Sequence, residues 1–220
     1  MFSHAELKVR AQQVEHDYPD KLGLRIHRGL SWLERAELCE NDDDAKFIFL
    51  WISLNSAYAD EIHREEDVPE RSVHFRFMTR LVSLDRDNLL YDLVWTRFAG
   101  PVRVLLDNRF VFQPFWDFHN GRIPESEWQR RFQAETRRVR WALRDQNRTV
   151  TVLAILLARL YTLRNQLMHG GATWRGSVNR DQIRDGTAIL NDLVPLVIHL
   201  MMDHPDEDWG DPCYPVIGET

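Results

Sequence analysis

The stretch RNQLMHGG, at residues 164–171, places an arginine, an asparagine and a histidine directly after the apolar run TVTVLAILLARLYTL. The guanidinium group of Arg164 keeps its positive charge and can donate two parallel hydrogen bonds to an oxyanion. The imidazole of His169 belongs to the side-chain type that takes or gives a proton near neutral pH. Arg164 and His169, together with the polar Asn165, are therefore candidate residues for chemistry on an anionic ligand.

A helix over residues 149–168 is predicted to position this motif. At about 100° per residue, one side of the helix carries Leu153, Leu157, Leu160 and Leu167. A polar stripe on another side carries Arg159, Thr162, Asn165, Gln166 and His169. Arg164 falls among the leucines, where a guanidinium must be paired or must open onto a polar cavity. Two interpretations stay open: an ion pair with Asp60 or Glu61, or a cationic group held in a cleft for an anionic ligand.

The spacing between the arginine and the histidine restricts how they can meet. His169 follows Arg164 by five residues, which places the two side chains about 140° apart on an ideal helix. They can converge if the last turn of the helix unwinds toward Gly170 and Gly171. They can also converge across a symmetric dimer in which each chain contributes half of a site.

The rest of the chain is dominated by helical periodicity. Start signals are the aspartates at 42–44 and Pro124 with two glutamates after it, and Gly170-Gly171 is a stop signal. Segment 99–121 is the exception, because its aromatic and β-branched residues are typical of a short hairpin or an irregular packed loop. The predicted fold class is an all-α, compact helical bundle. The helices are expected at roughly 3–17, 21–40, 43–63, 72–86, 87–98, 125–146, 149–168 and 179–203.

Asn55 is a polar residue in an apolar setting. On the helix predicted from AKFIFLWISLNSAYADEI it falls between Trp51 and Ile48, in the most apolar sector. A buried amide without partners costs about 1–3 kcal/mol. Asn55 is therefore expected either to bond to a neighbouring backbone carbonyl or a water, or to support a polar site.

Composition and motifs exclude several classes of function. The 220-residue chain has a formal charge of −6, which argues against a protein that coats nucleic acid by bulk electrostatics. No apolar run approaches the ~20 residues of a membrane span, and MFSHAELKVR is not a secretory signal, so a cytoplasmic protein without a membrane segment is expected. There is no glycine-rich phosphate loop and no histidine spacing typical of zinc. Neither a cofactor nor a metal is expected.

RNQLMH fits the R-(polar)-x-x-x-H motif of the HEPN superfamily. The blocks LWISLNSAYAD and LYTLRNQLMHGGATW, in this order and accompanied by RGLSWLERAE, resemble the Apea-like HEPN group. The resemblance implies an up-and-down helical bundle of the HEPN type with additional helices, usually dimeric. It implies one domain over 1–203, with core helices at about 21–63 and 149–203 and an insert at about 64–148. An irregular acidic tail at 204–220 would follow.

Many HEPN proteins are metal-independent endoribonucleases of toxin–antitoxin and phage-defence systems, and others are catalytically silent. Arg164, Asn165 and His169 all match the active pattern, so the resemblance implies RNA cleavage to 2′,3′-cyclic phosphate and 5′-hydroxyl ends. It also implies a homodimer, with an antitoxin or defence protein as a further partner. The alternatives are a silent HEPN module that binds a protein or nucleotide, and an ordinary helical protein in which Arg164 is a structural ion pair.

The segment 125–146 is rich in arginine. It contains RRFQAETRRVRWALR, which places several guanidinium groups and Trp141 on one predicted helix. Such a pattern is typical of a solvated face, and it also suits a track for the RNA backbone. The residues predicted for this second function are Arg130, Arg137, Arg138 and Arg144.

Overall fold

A computed structural model describes residues 2–14, 18–59 and 70–214, and in these ranges the chain is an all-α helical bundle without strands, as predicted. The helices are α1 (His4–Val14), α2 (Asp20–Glu37), α3 (Asp43–Tyr58), α4 (Glu70–Leu84), α5 (Leu89–Asp92), α6 (Ala99–Leu106), α7 (Gln113–His119), α8 (Glu125–Ala142), α9 (Thr149–Met168) and α10 (Arg180–Asp203). A π-helical turn at Leu93–Arg97 continues α5, and 3₁₀ turns lie at Arg109–Val111 and Gln146–Arg148.

Two predicted helix starts are confirmed by their local contacts. The Asp42 carboxylate caps α3 by accepting a hydrogen bond of 3.1 Å from the Ala45 amide. Pro124 precedes α8, whose first turn carries Glu125 and Glu127, where negative charge interacts favourably with the helix dipole. The predicted extensions of the first and third helices to 17 and 63 fall partly on residues outside the described ranges.

The prediction of a hairpin or irregular loop at 99–121 was wrong. This segment forms α6, the 3₁₀ turn and α7. Val102, Leu105 and Leu106 are fully buried and recur at helical spacing, so α6 presents an apolar side to α9 and α10. Burial of this side outweighs the weak local preference of β-branched residues for strands.

The main core lies where α2, α3, α9 and α10 meet. α3 packs against both α2 and α10, and α9 packs against α4. Gly186 of α10 permits a close approach, since a Cβ atom there would lie 2.9 Å from a Leu160 methyl and 3.0 Å from the Phe47 ring. α4, which falls in the predicted insert, contributes Met78 and Leu81 to this same core. α4 is therefore integrated into the bundle.

A smaller aromatic cluster joins α7 to α8. Its buried members are Phe112, Phe115 and Trp128. The Phe115 ring packs edge-on against the Trp128 ring, at a centroid distance of 5.2 Å. Because α8 also contacts α9, this cluster fixes the arginine-rich helix beside the helix that carries the motif.

The C-terminal part of the chain has two features. Among the described residues, α10 alone is long and apolar enough to cross a membrane by length and composition, but 78% of its apolar window is buried inside the protein, as in a core helix. Beyond α10, residues 204–214 contain no helix. Trp209 nevertheless packs into the core, and its indole donates a hydrogen bond of 3.0 Å to the His204 carbonyl.

Candidate functional site

The motif lies at the C-terminal end of α9, which stays wound through its last turn. The His169 amide donates to the Asn165 carbonyl at 3.0 Å, and the Gly171 amide donates to the Gln166 carbonyl at 2.7 Å. Gly170 adopts φ +71°, a left-handed conformation that favours glycine. The Gly170 amide also donates to the Leu167 carbonyl at 3.3 Å, and this bond and the Gly171–Gln166 bond form a Schellman cap. Of the two predicted routes that bring Arg164 and His169 together, unwinding of the last turn does not occur.

Arg164 is half-buried and is not enclosed in the core as its position among the leucines suggested. Its guanidinium donates a hydrogen bond of 2.9 Å to the side-chain oxygen of Asn165. Within residues 2–14, 18–59 and 70–214, no carboxylate lies within ion-pair distance of this group. The alternative partners predicted from the sequence, Asp60 and Glu61, lie outside those ranges.

Arg159, predicted to lie on the polar stripe, is instead the buried guanidinium of α9. It is 1% exposed and lies 3.4 Å from the Glu135 carboxylate of α8. It also donates to the Leu106 carbonyl at 3.2 Å and lies 4.5 Å from the centre of the Phe112 ring. The helical wheel assigned one buried side to α9, whereas α4, α6 and α8 pack around it. Glu135 was the sequence feature that could have indicated this burial, because it is a carboxylate at a position of α8 whose spacing matches the buried apolar residues of that helix.

His169 is exposed at the end of α9. In the described part of the chain its imidazole makes no hydrogen bond or ion pair to another side chain. Both ring nitrogens are therefore accessible to a ligand from solvent. Together with Arg164 and Asn165, His169 forms a short polar edge at the C-terminal end of the helix.

Gln166, between the motif residues, ties this helix end to its surroundings. Its amide nitrogen donates to the Phe110 carbonyl at 2.6 Å, and its amide oxygen accepts from Asn179 at 2.6 Å. These two bonds join α9 to the 3₁₀ turn before α7 and to the residue that precedes α10. Sequence reasoning placed Gln166 on the polar stripe without giving it this positioning role.

The loop after the motif is held at the start of α3. The Trp174 indole donates to Asp42 at 3.0 Å, while the Arg175 amide and the Arg180 guanidinium donate to Asp44 at 3.0 and 2.9 Å. Burial favours a higher pKa for Asp42, but the hydrogen bonds from Ala45 and Trp174 outweigh it and lower the pKa. These hydrogen bonds to Asp42 and Asp44 keep the residues after His169 close to the bundle.

Asn55 is not brought to the motif. It is half-buried, and its side-chain amide has no hydrogen-bond partner among the residues described. It lies eleven residues beyond Asp44 on α3, about 16 Å along the helix axis, whereas the loop that follows the motif contacts Asp44. Among the described residues, no contact therefore supports the predicted role of Asn55 at the motif.

The four arginines predicted to bind RNA are all exposed on α8 or directly after it. Arg130 pairs with Glu127, whose pKa is lowered by hydrogen bonds from Arg131 and Arg130. No ion pair joins the other three to a carboxylate in the described ranges; these are Arg137, Arg138 and Arg144. Trp141, which is 51% exposed, lies four residues after Arg137 on α8, so these two side chains share one helix face. Arg144 lies beyond the end of α8 at Ala142.

In the ranges that the structure describes, no group of three or more histidine, cysteine, aspartate or glutamate side chains could hold a metal ion. No protein-family model, curated protein sequence or solved structure matches this chain.

Proposed function

We propose that this protein is a metal-independent endoribonuclease of the HEPN type that acts as a homodimer in the cytoplasm, in a toxin–antitoxin or phage-defence setting. The proposal is supported by the contacts and the exposure of the motif residues. Arg164 is held by Asn165 without a carboxylate partner in the described ranges, and His169 is exposed on the same helix end. A cation without a carboxylate partner in these ranges and an exposed imidazole at the same helix end suit a phosphodiester substrate.

The reaction requires only proton transfer and charge stabilisation. One imidazole removes the proton of the 2′-hydroxyl, whose oxygen forms a bond to the adjacent phosphorus. The bond from phosphorus to the 5′ oxygen breaks, and a second imidazole, in its protonated form, gives its proton to that oxygen. The products are a 2′,3′-cyclic phosphate and a 5′-hydroxyl. Arg164 stabilises the negative charge of the phosphorane, and Asn165 orients the guanidinium through their hydrogen bond.

We infer that the second imidazole comes from a second chain. Since the last turn of α9 stays wound, His169 remains about 140° around the helix from Arg164. Large apolar side chains close to the motif in sequence are exposed, namely Met168 at 49% and Trp174 at 66%. A symmetric dimer that covers these side chains would place two copies of Arg164 and His169 in one cleft.

Cleavage of mixed RNA by purified protein in the presence of chelator tests the assignment. The wild type is expected to produce fragments with 2′,3′-cyclic phosphate ends. His169→Ala and Arg164→Ala are each expected to cleave at least about a hundredfold more slowly, the usual effect of removing an acid–base group or a charge-stabilising donor. Circular dichroism spectra should confirm that both variants fold.

Two other outcomes would contradict the proposal in different ways. Equal cleavage by all three proteins would identify a contaminating nuclease. No cleavage by any of them, with RNA binding or a partner protein retained, would favour the catalytically silent HEPN module. A solution mass equal to that of one chain, measured by light scattering, would contradict the proposal that two chains form the site.

A further inference from the structure

A cavity of about 520 Å³ lies between α9, α8, the start of α7 and α4. Its volume falls in the range of small-molecule sites, roughly 300–1,000 Å³. The α8 residues that line it are Arg131, Ala134, Glu135 and Arg138, and they recur at the spacing of a single helix face. The cavity is therefore built by one face of the arginine-rich helix and one face of the helix that carries the motif.

The described residues that line this cavity carry a net positive charge. They include three guanidinium groups, those of Arg131, Arg138 and Arg159, and one carboxylate, that of Glu135. Arg159 and Glu135 pair with each other in the interior, and Arg131 pairs with Glu127 outside the cavity. Arg138 is exposed and pairs with no carboxylate among the described residues. In a chain with a formal charge of −6, this local excess favours an anionic occupant.

The walls of the cavity are suited to a flat, apolar ring. Phe112 and Tyr161 supply aromatic surfaces, and Pro114 and Ala158 supply aliphatic ones. Thr162 and Gln113 also line the cavity. The Thr162 hydroxyl donates to the Ala158 carbonyl at 3.1 Å and can accept from the edge of a ring, and the Gln113 amide, which donates one hydrogen bond to Asp117, can still donate and accept. Aromatic walls with a few hydrogen-bonding groups are the features that bind unstacked nucleobases.

The position of the cavity relates it to the motif. Thr162 lines it, and this residue shares a side of α9 with Asn165 and His169. Thr162 precedes His169 by seven residues, which is about 10 Å along the helix axis. An extended single strand whose scissile phosphate lies at His169 would reach the cavity within a few nucleotides.

We propose that this cavity binds one unpaired nucleobase of the RNA substrate and that Arg138 contacts a phosphate beside that base. The site selects where the strand is cut, because only a nucleotide whose base fits the cavity places the following phosphates along the polar side of α9. This inference rests on the proposed ribonuclease function for its consequence in cleavage, but base binding itself is measurable without cleavage.

Binding to the His169→Ala protein tests the site, since the RNA then stays intact. Fluorescence anisotropy is measured with short single-stranded oligoribonucleotides of each base. Ala134→Trp fills the mouth of the cavity from an exposed position, and Gln133→Trp adds the same side chain at an exposed neighbour that does not line it. Ala134→Trp is expected to weaken binding of the preferred oligonucleotide about tenfold, the loss of one stacked base, while Gln133→Trp changes it less than about twofold.

A second pair of variants tests the site if circular dichroism shows that Ala134→Trp does not fold. Arg138→Gln removes the exposed cation of the cavity, and Arg140→Gln removes an exposed cation of the same helix that does not line it. Arg138→Gln is expected to weaken binding at least threefold more than Arg140→Gln. Equal effects within each pair would overturn the proposal.

Two further measurements separate this proposal from the ribonuclease assignment. If the wild type does not cleave RNA but binding still depends on Ala134 and Arg138, the base site stands and the ribonuclease assignment fails. If cleavage depends on His169 but Ala134→Trp cuts at the same sites as wild type, the base site fails and the assignment stands. Mononucleotides that bind as tightly as oligonucleotides would identify a site for free nucleotides and would overturn the RNA-specific claim.

Discussion

Arg159 and Arg164 lie five residues apart on α9, yet their guanidinium groups are in different environments. Arg159 is enclosed between α6 and α8, where Glu135 and the Leu106 carbonyl compensate its buried charge. A guanidinium held this way serves packing, since its removal would leave a buried carboxylate without its partner. Arg164 is half-buried and is bound by a neutral amide. Its positive charge is therefore available to a ligand.

Replacement of Asn165 tests whether cleavage depends on the available positive charge of Arg164. Asn165→Asp puts a carboxylate where the amide oxygen now accepts from Arg164 at 2.9 Å. The new charge neutralises the guanidinium and repels a phosphate, so cleavage is expected to fall about a hundredfold. Asn165→Ala removes the bond without adding charge and is expected to cost about tenfold. Initial cleavage rates measure both; an Asn165→Asp rate equal to or above that of Asn165→Ala would contradict the role given to the neutral amide.

The surroundings of His199 predict how the free energy of unfolding depends on pH. Its ring stacks on Phe2 and lies 3.2 Å from the Asp203 carboxylate and 2.8 Å from the Arg10 guanidinium. Burial lowers its pKa; Asp203 opposes this effect and Arg10 adds to it. Because the pKa is lower in the folded state, the unfolded chain binds the proton first as the pH falls below about 6.5. His199 therefore disfavours folding at acidic pH and has no such effect above the pKa of the unfolded chain.

Urea unfolding at pH 8 and pH 5.5 checks this prediction. The free energy of unfolding of the wild type is expected to decrease from pH 8 to pH 5.5, and His199→Gln is expected to show a smaller decrease. An equal decrease in both proteins would show that His199 does not contribute to the pH dependence.

At the scale of elements, the end of α9 decides where the motif lies. The Schellman cap at Gly170 and Gly171 stops the helix directly after His169, and Gln166 and Asp44 anchor the residues on either side of the stop. The stop was predictable because consecutive glycines end helices for a local reason, the cost of a left-handed conformation for other residues. The contacts of Gln166 and Asp44 were not predictable, because they depend on which elements lie nearby in space.

Gly170→Ala measures the contribution of this cap. Because Gly170 has φ +71°, alanine is expected to lower the free energy of unfolding by about 1–2 kcal/mol and to slow cleavage by displacing His169. Gly23→Ala is the matched control, since Gly23 lies inside α2 and a Cβ atom added there would meet no heavy atom within 4 Å. It is expected to stabilise the protein by roughly 0.5–1 kcal/mol. Similar stability changes in the two variants, measured by urea unfolding, would contradict the role of the cap.

The accuracy of the sequence-based predictions varied among elements for physical reasons. α2, α3, α9 and α10 have long apolar patterns, and their positions were predicted to within a few residues where the structure describes them. α6 and α7 are short and depend on burial against α8, α9 and α10, which no local pattern reports. The burial of Arg159 was missed for the same reason, because its partner Glu135 is 24 residues away on another helix.

At the scale of the whole molecule, one core unites Leu7 of α1 and Trp209 with α4 and α6, and the motif lies at the exposed end of α9. Met168, which belongs to the motif stretch, and Trp174, five residues after His169, are exposed, and the proposed second chain would cover them. The exposed guanidinium groups of α8 add a local positive charge to an acidic protein. This combination suits a dimeric site for a polyanion.

The most direct test of the account is the activity of a heterodimer that carries one wild-type chain and one His169→Ala chain. Co-expression with two different tags and purification through both isolates it, and a doubly tagged wild-type dimer is the control. If the two histidines act as base and acid in one cleft, the heterodimer is expected to cleave RNA at least about a hundredfold more slowly than the control. A heterodimer that keeps half of the control activity, or a wild-type protein that does not cleave RNA, would contradict the account.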